Sequence, residues 1–227
     1  MGKAYFVSGI DTGIGKTMVT GLMARNLAKR GRDVITVKMV QTGCDGHSED
    51  LAIHRRIAGG VCFEEDSRRL TAPQIFKFPS SPLLAASLEG RAVDADAIAC
   101  AVRQCAARHD IVLVESAGGL DVPLTGSLLS ADLAAGEHWP LILVTCGRLG
   151  SINHTLLSLE AAKMRRMKVA GVVHNWCDGA DPAIDRDAAR TTLRYLAKLG
   201  YPQIVLRVPR FDLDGPYPEV DFSELFS

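Results

Sequence analysis

The sequence predicts an α/β fold in which a parallel β-sheet carries helices on both faces. Three observations point to it. Short apolar runs alternate along the chain with longer segments of helical period. Most of the runs are continuously apolar, which suits strands buried on both faces. The length of 227 residues, 47% of them apolar, fits one large core and a single domain spanning 1–227.

The elements follow in order. The run Ala4–Ser8 leads through a glycine-rich loop into a helix over Lys16–Arg30. Its stripe is Val19, Leu22, Met23 and Leu27, and Gly31 stands where a C-cap belongs. Val34–Val37 is the second strand, and the loop-like stretch Met39–Gly43 follows. Ser48 can cap a helix running to Ala58. A helix over Ala95–Arg108 precedes the strand Ile111–Val114. Then come the strand Leu141–Thr145, the helix Asn153–Arg166, the strand Val169–His174, the helix Pro182–Leu199 and the strand Ile204–Val208. The tail Phe211–Ser227, rich in Asp, Pro and Phe, reads as an irregular wrap. Strand–helix alternation of this kind gathers an active site at the carboxyl ends of the strands.

Composition removes several function classes. The 26 basic and 26 acidic side chains cancel, so no whole-surface field draws a polyanion and nucleic-acid binding is not expected. The six cysteines, Cys44, Cys62, Cys100, Cys105, Cys146 and Cys177, include no Cys-x-x-Cys pair. That pattern suits a reducing cytoplasm better than a disulfide framework. No run approaches the ~20 apolar residues of a membrane helix, and the N-terminus has no signal-peptide pattern. A cytoplasmic protein without membrane attachment is expected.

Gly15-Lys16-Thr17 follows a buried strand and opens a helix, the setting of a P-loop. The fold expected is therefore of the P-loop nucleotide triphosphatase type. Backbone N–H groups at the helix start face the phosphates, and the helix dipole favours their charge. Lys16 then reaches the β- and γ-phosphates, and the Thr17 hydroxyl ligates Mg²⁺. The strict pattern places four residues between the first glycine and Gly-Lys-Thr. Here Gly9 precedes Gly15 by five intervening residues. The longer loop leaves room for a second ligand beside the γ-phosphate and sets Asp11 and Thr12 at its mouth.

Two carboxylates are candidate partners. Asp110–Glu115 is an apolar strand ending in an acid, followed by Ser116, Ala117, Gly118 and Gly119. A strand-end carboxylate beside the phosphate strand is where Mg²⁺ needs a further protein ligand, and the glycines allow close backbone approach to phosphate. Asp50 lies in the first turn of a helix, where an acid also serves the helix dipole. On its own, Asp50 reads first that way. Lys38 ends the second strand at the site edge, where it can offset charge developing next to the γ-phosphate. A surface lysine snorkelling from the strand end fits the same position.

These residues converge on a resemblance. The chain is similar to the dethiobiotin synthetases along nearly its whole length. The matching signatures are Gly9–Thr17, Lys38–Gly43, Phe78–Pro82, Glu89–Arg91, Val114–Gly119, Leu149–His154 and Asn175. The resemblance implies an ATP- and Mg²⁺-dependent cyclo-ligase of biotin biosynthesis. It would close a ureido ring on 7,8-diaminononanoate with CO₂, giving dethiobiotin, ADP and phosphate. One amine captures CO₂ as a carbamate, the carbamate oxygen takes the γ-phosphoryl group, and the other amine then displaces phosphate.

The resemblance also implies residue roles. Lys16, Lys38 and Thr12 would be catalytic. Thr17, Asp50 and Glu115 would hold Mg²⁺. Gly13, Ile14, Gly15 and Met18, with Ser116, Ala117 and Gly118, would surround the phosphates. Asn175, Trp176, Pro209, Arg210 and Phe211 would border the base. Thr12, Lys38, Thr42, Ser80 and Ser81 would meet the diamine end. Leu149, Gly150 and Asn153 would come from the opposite subunit and bind the substrate carboxylate, which implies a homodimer with active sites at its interface.

Three departures from the family pattern stand out. Gly13 replaces a frequent Glu, Lys38-Met39 replaces Lys-Pro, and the stretch from Gly43 to Asp50 is short. Asn175-Trp-Cys-Asp178 has the Asn-x-x-Asp spacing of guanine-binding proteins, with Trp176 for their lysine. The expectation is nonetheless ATP, with Asp178 not reading the base.

Competing readings differ in recognisable ways. A partition-type P-loop ATPase carries an extra lysine where this chain has Ile10 and Asp11. An ATP-dependent amidotransferase needs a glutaminase domain, for which this length leaves no room. A non-enzymatic nucleotide module would not couple ATP hydrolysis to a diamine and CO₂.

Overall fold

A computed structural model describes residues 2–177 and 179–227. The innermost strand is β1 (Lys3–Gly9), buried from Ala4 onward. It pairs in parallel with β5 (Ile111–Gly119) on one side and β6 (Leu141–Cys146) on the other. Outward lie β2 (Val34–Lys38) beyond β5, then β7 (Val169–Asn175) and β8 (Val205–Val208) beyond β6. The six-stranded order is β2-β5-β1-β6-β7-β8, with every pairing parallel. Runs such as Ile111–Val114 and Leu141–Val144 are completely enclosed, which is why their sequences are apolar without alternation.

Helices cover both faces. From β1 the chain passes through α1 (Lys16–Lys29) to β2, moving one way across the sheet. It moves the other way through α7 (Ser151–Met164) to β7 and α8 (Pro182–Leu199) to β8. Right-handed crossovers place helices of opposite travel on opposite faces. Accordingly α1 packs with α2 (Glu49–Ala58), and α7 packs with α8. The α1 stripe of Val19, Leu22, Met23 and Leu27 is buried as expected. Gly31, at φ 74°, follows its C-cap and donates to Ala28.

The structure corrects several expectations. Val40–Thr42 is a short strand, β3, paired in parallel with β4 (Gln74–Phe76) in a second, two-stranded sheet. Four helical segments also lie outside the sequence reading: α3 (Glu64–Ser67), α4 (Pro82–Leu88), α6 (Ser130–Gly136) and a 3₁₀ turn over Ser223–Phe226. Helix α7 starts at Ser151, two residues earlier than expected, with Gly150 at its N-cap. The tail is anchored as well as irregular. Phe222 and Leu225 are buried, Phe222 N–H donates to Asn26 Oδ1, and Phe226 meets Tyr5 edge-on. Between β2 and β5, α5 (Ala95–Ala106) packs on β5 and β1.

Candidate active site

The carboxyl ends of β1, β2 and β5 converge on one cleft of about 770 Å³. The phosphate loop leaves β1 at Gly9 and enters α1 after Gly15. Gly13 and Gly15 sit at φ 72° and 84°, left-handed backbone that glycine alone adopts without strain. A Cβ on Gly15 would fall 2.2 Å from Asn175 Nδ2. That amide, at the end of β7, donates to the Ile14 carbonyl at 2.9 Å and so props the loop from below. Helix α1 has no acid in its first turn and no side-chain cap, which leaves its leading N–H groups for an anion.

Lys16 is buried and folds back to donate to the Asp11 carbonyl at 2.8 Å. Burial lowers its pKa to about 8, and carboxylates nearby only partly offset that. A phosphate at the loop would give this ammonium the counter-charge it lacks.

Glu115 is the hub on the other side of the loop. It is fully buried, and β2 and β5 set Lys38 directly beside it. Its Oε1 accepts from Thr17 Oγ1 and Lys38 Nζ, each at 2.9 Å. Lys38 also donates to the Ser116 carbonyl at 3.0 Å and pairs with Asp50 Oδ2 at 2.5 Å. Burial raises the Glu115 pKa, but the Lys38 ammonium and hydrogen bonds from His54 and Lys38 reverse the sign and keep it ionised. For Lys38, burial works against the charge, and Glu115 and Asp50 override it, so its pKa is raised. Lys38 is 5% exposed, which removes the reading of a snorkelling surface lysine.

Two carboxylates and one hydroxyl thus converge as hard oxygen donors, the set a divalent cation prefers. A cation already lies among them in the form of the Lys38 ammonium. Among the described residues no three His, Cys, Asp or Glu side chains are arranged to hold a metal ion, so a metal here would draw its remaining ligands from water and phosphate.

Beyond Glu115 the strand β5 bulges. Val7 faces Glu115, but Gly9 faces Gly119, so Ser116, Ala117 and Gly118 together oppose Ser8. The bulge brings Ala117 and Gly118 to the wall of the cleft that Lys16 and Thr17 also line. Thr12, Thr42, Ser80 and Ser81 line the same cleft. An adjoining cleft of about 390 Å³ shares Gly13 and Gly15 with it. Its wall holds Ile14, Met18, Asn175, Trp176, Pro209, Arg210 and Phe211. Asp178 lies outside the described residues. Leu149, Gly150 and Asn153 line neither cleft and are exposed, Leu149 at 86%.

The AAA-domain family profile matches residues 3–213. The "ATP-dependent dethiobiotin synthetase BioD 2" of Pasteurella multocida is 44% identical over 87% of this chain and 93% of its own length. The protein of the same name from Haemophilus influenzae is 48% identical over 77% of this chain and 92% of its own. The "ATP-dependent dethiobiotin synthetase BioD" of Chlorobaculum tepidum is 46% identical over 88% and 84%. The chain belongs to the dethiobiotin synthetase family. Solved structures extend the likeness at the level of fold. A ParA family ATPase from Chlorobium tepidum superposes with a TM-score of 0.57, covering 93% of this chain and 86% of its own, at 15% identity. MinD in the MinC:MinD complex of Aquifex aeolicus matches at 0.54, covering 92% and 82%, also at 15% identity. The architecture is that of the P-loop NTPases, and at such identity the likeness to partition ATPases ends there.

Some residues of this dethiobiotin synthetase-family site escaped the sequence reading. His54 is buried on α2 with Nε2 2.8 Å from Glu115 Oε2. The signal for it was its position four residues after Asp50, one helical turn along the same face. Gln41 accepts from Ser48 Oγ at 2.7 Å and so ties β3 to the α2 cap. Arg148 borders the second cleft and pairs with Asp11. Nothing in the spacing of Gln41 or Arg148 marked either.

Proposed function

We propose that this chain catalyses the ATP- and Mg²⁺-dependent ring closure of 7,8-diaminononanoate with CO₂, forming dethiobiotin, ADP and phosphate. The observation that carries the reading is the shared loop: one wall faces a nucleotide-sized cleft, and the other faces a cleft flanked by Lys16 and Lys38. Membership of the family supplies the substrate class.

The chemistry assigned to the chain's own groups is charge placement. One amine nitrogen adds to CO₂ and loses a proton, leaving a carbamate anion. Lys38, at the end of β2, balances that anion. Its oxygen takes the γ-phosphoryl group while Lys16 and the α1 N–H groups hold the phosphate oxygens. The second amine attacks the carbonyl carbon, phosphate leaves with the bonding electrons, and the amine proton is lost. Thr17, Asp50 and Glu115 would hold Mg²⁺, which supplies charge neutralisation at the phosphates when bound. Thr12, Thr42, Ser80 and Ser81 orient the diamine. Met18, Trp176, Pro209, Arg210 and Phe211 shape the base cleft, which we assign to adenine.

A homodimer completes this reading. Leu149 is 86% exposed, and Leu157 and Met164 on α7 are 60% and 84% exposed. Such apolar side chains belong against a partner. We assign Leu149, Gly150 and Asn153 to the substrate carboxylate of the opposite subunit, at the α7 N-terminus. The test is direct. Protein with 7,8-diaminononanoate, ATP, Mg²⁺ and bicarbonate should yield dethiobiotin by mass, with ATP hydrolysis appreciable only when diamine is present. Hydrolysis indifferent to the diamine, with no dethiobiotin mass, would sink the proposal.

A further inference from the structure

Glu115 divides its two oxygens between two different tasks. Oε1 takes Thr17 and Lys38, on the cleft side. Among the described residues Oε2 takes only His54 Nε2, at 2.8 Å, from the buried side. His54 is itself fully buried, and its other nitrogen lies 3.0 Å from Thr36 Oγ1. Thr36 Oγ1 accepts from Arg55 at 2.6 Å. Arg55 is in turn held by both oxygens of Asp66, at 2.7 and 3.1 Å.

For a neutral imidazole the donors have one consistent direction. An ionised carboxylate only accepts, so His54 Nε2–H must donate to Glu115. Arg55 only donates, so the Thr36 oxygen accepts from it and the Thr36 hydroxyl proton is free to point at His54 Nδ1. The chain therefore reads Arg55 to Thr36, Thr36 to His54, His54 to Glu115. It fixes one imidazole tautomer and one carboxylate rotamer between two fully buried side chains. Partners of this kind behind a cation-binding carboxylate set both its orientation and its affinity.

We propose that His54 is a positioning residue that pins Glu115 Oε2 so that Oε1 stays presented to the cation beside the phosphate loop. The proposal rests on the cation role given above to Glu115. Thr36 and Arg55 act one and two steps behind it.

Two readouts test it on the full-length chain. In ¹⁵N-histidine-labelled protein, long-range proton–nitrogen correlation should show one histidine locked with its proton on Nε2, its signal absent in His54→Gln. A proton on Nδ1 with Nε2 bare would overturn the proposal, because Nε2 could then not donate. The second readout is Mn²⁺ binding in the presence of ADP, by electron paramagnetic resonance. His54→Leu should weaken Mn²⁺ by about 10–100-fold while metal-free ADP binds within about twofold of wild type. His54→Gln, whose amide reaches where Nε2 stands, should recover most of the loss. Thr36→Val keeps its volume and should give an intermediate loss, and it carries the test if His54→Leu does not fold. Wild-type Mn²⁺ affinity in these folded variants, or a Gln variant as weak as Leu, would reduce His54 to packing. Absence of any Mn²⁺ binding by wild type with ADP would instead remove the cation role of Glu115, and the proposal with it.

Discussion

Lys16 and Lys38 are both buried cations, and their neighbours move them in opposite directions. Lys16 donates to a backbone carbonyl, and burial takes its pKa down to about 8 against a partial offset from Glu115, Asp50 and Asp11. Lys38 loses more to burial in principle, yet two carboxylates raise it. The two should therefore fail differently when removed. Lys16→Ala should lower kcat by about 10³-fold or more, since a main cation of the phosphoryl group is gone. Its melting temperature should stay near wild type. Lys38→Ala should also lose turnover, and it should cost about 3–5 kcal/mol of folding stability, because Glu115 and Asp50 are left without their counter-charge. Urea denaturation of both variants beside a dethiobiotin assay separates the cases. Equal stability for the two would mean the Lys38 ion pairs contribute little. The sequence showed both lysines and Glu115 at strand and helix ends. It did not show that they meet, because the contact spans separate strands and burial is a property of the packed sheet.

At the scale of elements, β5 matters most for what its bulge does. Gly118 at φ 70° turns the strand back, and a Cβ there would press on Val122 at 3.0 Å. Gly118→Ala should lose about 1–2 kcal/mol through the left-handed backbone alone, read as a lower denaturation midpoint at unchanged slope. Asp66 ties α2 to the segment after α3 through Arg55, Thr71 and the Phe63 N–H. Burial raises its pKa, and these partners more than reverse that, so the folded value lies below 3.8. A carboxyl lowered on folding contributes stability that is complete above the unfolded value and lost as pH falls through the folded one. Asp66→Asn should thus cost about 1.5–3 kcal/mol at pH 7, with the difference shrinking as pH drops below about 4. A pH-independent difference would contradict that account. The six main strands and the long helices were legible from continuous apolar runs and 3.6-residue stripes. The three-residue strands β3 and β4 were not, since so short a pairing leaves no period and depends on Phe76 finding a buried place. His54 was legible only as a helix-face neighbour of Asp50, and its partner was not.

For the whole molecule, the exposed apolar residues of α7 make a further prediction. Leu157→Asp with Met164→Asp should shift the sedimenting species toward a monomer, weaken the diamine strongly and leave ATP binding within about threefold, because only the carboxylate site is assigned to the partner. A monomeric wild type would contradict the assignment. The sheet order has one more consequence. β1 leaves the ribosome before either of its neighbours, β5 and β6, with Lys3 opposite Ile111 and Phe6 opposite Leu141. At about 5–20 residues per second, β1 waits roughly 5–20 s before even its first neighbour has been made. Through that interval an apolar strand with both edges open must be kept from pairing with strangers. The same wiring that brings the phosphate loop to the middle of the sheet thus rests on pairings of long sequence separation, which as a rule slow folding, a cost borne in synthesis and invisible in the finished protein.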